Sequence, residues 1–167
     1  MRKLVIFSLV LGLLTSSCST TSGLYKVETR TANDIDGAIT TKSMYIYSKV
    51  QAMYFHDSLS IAKTSRDGLA IYRFEVEICD SNWLFVDTLK LKINNGETLT
   101  LVDKNPARKT IPGSQYAPTR IYEIAYFILD QNMVNELRNV NSLVLQHKRD
   151  PITLPPEALE AIRKFID

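Results

Sequence analysis

The amino-acid sequence predicts an α+β fold: a single domain over residues 24–167, mainly antiparallel β-sheet, with two C-terminal amphipathic helices. Three observations predict it. Apolar and polar residues alternate with period two in successive runs from residue 24, turn residues separate those runs, and a helical period appears only after residue 130. Strands first and helices last is the order of an antiparallel sheet with helices packed over part of it. The composition, 45% hydrophobic and 23% charged, is ordinary for a globular chain long enough to bury a core, and no internal repeat divides it.

The elements follow in order. LYKVETR (24–30) reads as a strand, and NDIDG (33–37) as a turn with Gly37 supplying a positive φ. MYIYSKV (44–50) and AMYFHDSLSIAK (52–63) are rich in aromatic and β-branched residues and read as strands. SRDG is a turn into IYRFEVEIC (71–79), where Tyr72, Phe74, Val76 and Ile78 face one way and Arg73, Glu75 and Glu77 the other. The hairpin around INNGET is predicted in the register that pairs Leu91 with Leu99 and Leu89 with Leu101. The alternative register would put the apolar rows on opposite faces. That register implies a three-residue loop of Asn94, Asn95 and Gly96, with Gly96 left-handed.

Residues 104–119, KNPARKTIPGSQYAPT, carry three prolines and no strand or helix period, so they are expected to form a long loop. RIYEIAYFIL (120–129) is apolar on both faces apart from Glu123 and is expected to be a central strand covered on both sides. Asp130 can cap a helix over QNMVNELRNV, with Met133, Val134, Leu137 and Val140 on one face. SLVLQHK (142–148) is another strand. PPEALEAIRKFID closes the chain as a helix with Pro156 in its first turn, a buried stripe of Leu159, Ile162 and Ile166, and a Glu160–Lys164 pair.

The first 20 residues have a different character. Arg2 and Lys3 precede an apolar run of 11 residues, Leu4 to Leu14, followed by Thr15, Ser16 and Ser17 and then Cys18. This is the order of a secretory signal peptide. At 1.5 Å per residue the run reaches about 16 Å, too short for a bilayer core of about 30 Å. Ser16, Ser17 and Cys18 resemble the lipobox of bacterial lipoprotein precursors, with Thr15 in place of the family's usual aliphatic residue. The resemblance implies that residues 1–17 are removed, that Cys18 is lipidated by acyl chains such as palmitate, and that residues 18–23 form a polar tether. It also implies a membrane-anchored cell-envelope protein. Ser19 in place of an aspartate favours the outer membrane, facing the periplasm. The rival reading is a secreted protein with a Cys18–Cys79 disulfide. The hairpin within WLFVDTLKLKINNGETLTL and the closing strand–helix unit also resemble small bacterial lipoproteins of unknown role, which implies no activity.

Charge narrows the partners. Of twenty basic residues, Arg2 and Lys3 lie before the apolar run, and the remaining eighteen match the eighteen acids. A neutral body lacks the basic excess of a nucleic-acid-binding domain. No motif for phosphate, dinucleotide or metal binding occurs, so no cofactor is expected. His56-Asp57-Ser58 contains the residue types of a hydrolase triad, but strand neighbours point to opposite faces, and the three read as solvated strand-end residues. Glu75 and Glu77 read as the wet row of a strand. Cys79 shares their parity and, left single once Cys18 is lipidated, reads as a small buried residue.

One cluster points to a partner: Lys104, Arg108, Lys109 and Arg120 follow one another with no acid between them. They are expected to meet an anionic lipid or cell-wall surface, or an acidic envelope protein. The function expected is a non-catalytic binding or scaffold module. The alternative is an envelope hydrolase whose acids come together only in the fold.

Overall fold

The computed structural model describes residues 24–34, 37–52 and 54–167. The lipobox region and Cys18 lie outside them, as do Ile35 and Asp36 of the turn expected at 33–37. Among the described residues, ten strands and two helices follow in order. They are β1 Val27–Asp34, β2 Gly37–Ala52, β3 Phe55–Arg66, β4 Leu69–Asp80, β5 Thr88–Ile93, β6 Thr98–Val102, β7 Ala107–Ile111, β8 Arg120–Ile128, α1 Gln131–Arg138, β9 Leu143–Gln146, β10 Ile152–Thr153 and α2 Pro156–Ile166. The described residues are thus mainly antiparallel sheet with two helices, one of them near the C-terminus.

The strands form two sheets, β1-β2-β3-β4-β8-β7 and β10-β9-β5-β6, in which every named pair is antiparallel. β3 and β4 join through Asp67 and Gly68, both at positive φ, between the paired residues Arg66 and Leu69. That is the two-residue primed turn whose twist matches the strands.

One core cluster lies between the sheets and helices. β4 contributes Phe74, Val76 and Ile78, β5 Leu89 and Leu91, α1 Val134 and Leu137, and α2 Leu159, Ile162 and Ile166. Phe74 and Phe127 are directly opposed across β4 and β8 and fully buried, so truncating either to Ala would cost about 3–5 kcal/mol. Val140 is also buried and Met133 partly so, and Asp130 caps α1 by accepting from the Met133 N–H at 2.8 Å. The Glu160–Lys164 pair forms at 2.6 Å, and the Tyr72 hydroxyl ties β4 to the end of α2 by donating to the Ile166 carbonyl.

The hairpin has the expected register, Leu89 opposite Leu101 and Leu91 opposite Leu99. Its left-handed residues are Asn94 (φ 49°) and Asn95 (φ 58°), not Gly96. The Gly96 N–H donates to the Ile93 carbonyl at 2.8 Å, closing a primed turn on the two asparagines.

Two expectations are corrected. Residues 104–119 are not a featureless loop, because β7 occupies 107–111 and pairs with β8. Its side chains are nearly all exposed, so burial imposes no alternating pattern on it. β8 is not covered on both faces: it lies second from the sheet edge, and Tyr126 and Ile128 are exposed.

Candidate functional site

Because strand side chains alternate, the six-stranded sheet has a core face and an open face. The open face carries Thr41, Ser43 and Tyr45 from β2, Ser58 and Ser60 from β3, and Arg73, Glu75 and Glu77 from β4. Tyr122, Ile124 and Tyr126 come from β8, and Glu28 and Arg30 from β1. Together they line a groove of about 470 Å³. Ser58 and Ser60 form its floor at 5% exposure. Tyr45 continues the alternation of Thr41 and Ser43 while Met44 and Ile46 are buried, and the β2–β3 register shift between Tyr45 and Tyr47 brings Tyr47 against the core.

Every charge in the middle of the groove is held. Arg73 meets the Glu75 Oε1 atom through Nη2 at 2.6 Å and Nε at 2.7 Å, donates through Nη1 to the Thr64 hydroxyl, and sits over the Tyr126 ring. The Ser60 hydroxyl donates to the other oxygen of Glu75. His56 Nε2 lies 3.0 Å from Glu77 Oε1 and its ring packs edge-on to Tyr122. The hydrogen bond with His56 holds the Glu77 carboxyl below its ordinary range against the opposing effect of burial, with Tyr122 adding a second bond. Burial first, and then the bond to Glu77, keeps the Tyr122 phenol well above its ordinary value. Tyr45 and Tyr126 are raised chiefly by burial and next by Glu77 and Glu75 respectively. All three phenols therefore remain hydrogen-bond donors at neutral pH.

On the core side of β3 a second polar cluster appears that sequence reading missed. Asp57 is 4% exposed, not solvated, and its Oδ1 atom lies 2.9 Å from His147 Nε2 while Lys148 reaches Oδ2 at 3.1 Å. His56 and Asp57 do face opposite ways, as alternation requires, but each finds a partner from another strand or segment. Histidine and aspartate 90 positions apart leave no local pattern to read.

Glu123 is the second buried carboxylate, 1% exposed. Its carboxylate accepts the N–H groups of Leu84, Phe85 and Val86 and pairs with Arg108 at 3.1 Å. Here the sequence did carry a signal, a lone acid in an apolar strand. The four cations expected to act together are distributed differently. Arg108 stands opposite Glu123 on the core side, whereas Lys109 is opposite Tyr122 and shares its face with Arg120. Arg120 lies over the Tyr54 ring and Lys104 is exposed. Cys79 is 4% exposed, and burial pushes its thiol up.

Among the described residues no cluster of His, Cys, Asp and Glu could hold a metal ion, and no helix is long and apolar enough to cross a membrane. No family model, curated protein or solved structure matches the chain.

Proposed function

We propose that the chain is the precursor of a lipid-anchored bacterial envelope protein whose working part is a non-catalytic binding module. In this reading Cys18 is acylated, residues 18–23 are the tether, and residues 24–167 are a single α+β domain at the outer membrane, facing the periplasm. The observation that carries the binding reading is the open face of the six-stranded sheet. Tyr45, Tyr122 and Tyr126 offer flat aromatic surface, and Tyr45 and Tyr126 hydroxyl donors, above a serine floor. The paired charges between them are already satisfied, so a ligand need not neutralise them. That chemistry suits a polar polymer rich in hydroxyl and amide groups, such as a cell-wall glycan with its peptides.

Charge pairing also argues against acid–base work at Glu75 and Glu77. A glycosidase pair needs one carboxyl that keeps its proton. Glu77 is pulled the other way by His56, and both oxygens of Glu75 already have partners in Arg73 and Ser60.

Capture from native envelopes tests the reading. Wild-type protein should retain a wall-derived ligand that the Tyr126→Ala variant does not, and Cys18→Ala should move the protein out of the membrane fraction. A Cys18→Ala variant that sediments as the wild type does would remove the anchor from the account.

A further inference from the structure

Trp83, Leu84 and Phe85 lie on the irregular strap between β4 and β5, and their apolar side chains are 37%, 38% and 63% exposed. Single exposed apolar residues are common, but three in succession on a built support are not. The support is Glu123, which binds the backbone N–H groups of residues 84–86 from beneath. Phe85 has φ of 52°, a left-handed conformation that bulky residues rarely adopt. The Trp83 and Phe85 rings lie 6.2 Å apart, and the Arg108 guanidinium sits 5.4 Å over Phe85. A buried carboxylate and a strained residue thus hold three apolar side chains at the surface.

The surroundings indicate what they meet. Leu84 forms one wall of a cleft of about 820 Å³ that Lys49, Lys148 and Arg149 also line, with Asp57 and Asp150. Asp57 is already engaged by His147 and Lys148, whereas Lys49 and Arg149 are exposed and outnumber the exposed Asp150. An aromatic tip beside free cations is complementary to an anionic bilayer. Tryptophan and phenylalanine favour the interfacial layer, and lysine and arginine favour its phosphates. We infer that the Trp83–Phe85 strap is a wedge that enters the interface of a membrane containing anionic phospholipid, with Lys49 and Arg149 at the head groups. A protein pocket could take the apolar tip, but the neighbouring cations favour lipid. The inference stands on the strap and its surroundings and does not require that Cys18 be acylated.

Trp83 is the only tryptophan in the chain, so its emission reports on the wedge alone. The full chain is reconstituted into vesicles of phosphatidylcholine with or without phosphatidylglycerol, each carrying acyl-brominated lipid. In anionic vesicles Trp83 should shift to the blue and be quenched roughly twofold, as expected of an interfacial indole. Leu84→Asp and Phe85→Ser, checked for folding by circular dichroism, should lose the quenching. The wild-type comparison of the two vesicle types needs no variant. Quenching absent from anionic vesicles would overturn the inference and leave the strap to a protein partner. Equal quenching in phosphatidylcholine alone would overturn it as well.

Discussion

His147 Nε2 lies 2.9 Å from Asp57 Oδ1, and this contact joins the two sheets where no backbone pairing does. Asp57 belongs to β3, and His147 immediately follows β9. Both side chains are nearly inaccessible, at 6% and 1% exposure. Removing one partner of a buried pair costs more than the pair contributes, because the other charge is left without compensation. Asp57→Ala should therefore destabilise the protein by about 3 kcal/mol, read as a lower urea midpoint. A loss below about 1 kcal/mol would mean that the sheets are held by apolar packing alone.

The same pair predicts an acid limb. Burial alone would raise the Asp57 carboxyl, but the His147 hydrogen bond and the His147 and Lys148 charges more than offset it, leaving it below the ordinary 3.8. A depressed carboxyl contributes stability above its unfolded value and loses it as pH falls through the folded one. Wild type should lose stability faster than Asp57→Asn below pH 3.8. Parallel curves from chemical denaturation across that range would contradict the linkage.

Glu123→Ala should be more damaging than its size suggests. It strips the acceptor from three backbone N–H groups and the partner from Arg108. The expected cost is about 3 kcal/mol or more, with hydrogen exchange speeding up first at residues 84–86. Glu123→Gln keeps a carbonyl oxygen and should fall between.

Phe85→Asn should separate stability from membrane contact. Relief of the left-handed conformation is worth about 1 kcal/mol, against roughly 0.5 kcal/mol for the lost Arg108 contact. The variant should melt slightly higher than wild type yet bind anionic vesicles less well. A lower melting point would show that the strap is not strained at Phe85.

In the β5–β6 turn the two left-handed asparagines should respond oppositely. Asn94 accepts from the Asn141 and Ser142 N–H groups and donates to the Asn139 carbonyl, fastening the α1–β9 connection. Asn94→Gly should cost about 1–2 kcal/mol in lost hydrogen bonds. Asn95→Gly should be neutral or slightly stabilising, since only its backbone conformation is at stake. Thermal midpoints of the two variants decide it.

What could be read in the sequence was whatever burial makes periodic. Tyr72 to Ile78, the Leu89–Leu101 register and the Leu159–Ile166 stripe all follow from side chains that must face a core, and the Asp130 cap from the unpaired N–H groups of a helix start. β7 escaped because it lies at a sheet edge with Arg108, Lys109 and Thr110 exposed, where no burial constrains the alternation. The open-face groove was half legible: Arg73, Glu75 and Glu77 were visible as a polar row, but Tyr45, Ser58, Ser60 and Tyr126 join it only through strand pairing. Asp57–His147 depends on two sheets meeting, which no local pattern encodes.

The binding reading is tested most directly by site-specific photocrosslinking in living cells. A photoreactive residue at Ile124, inside the groove, should capture an envelope component that the same residue at Glu97, on the exposed β5–β6 turn, does not. Equal capture at both positions, or none at Ile124, would contradict the account.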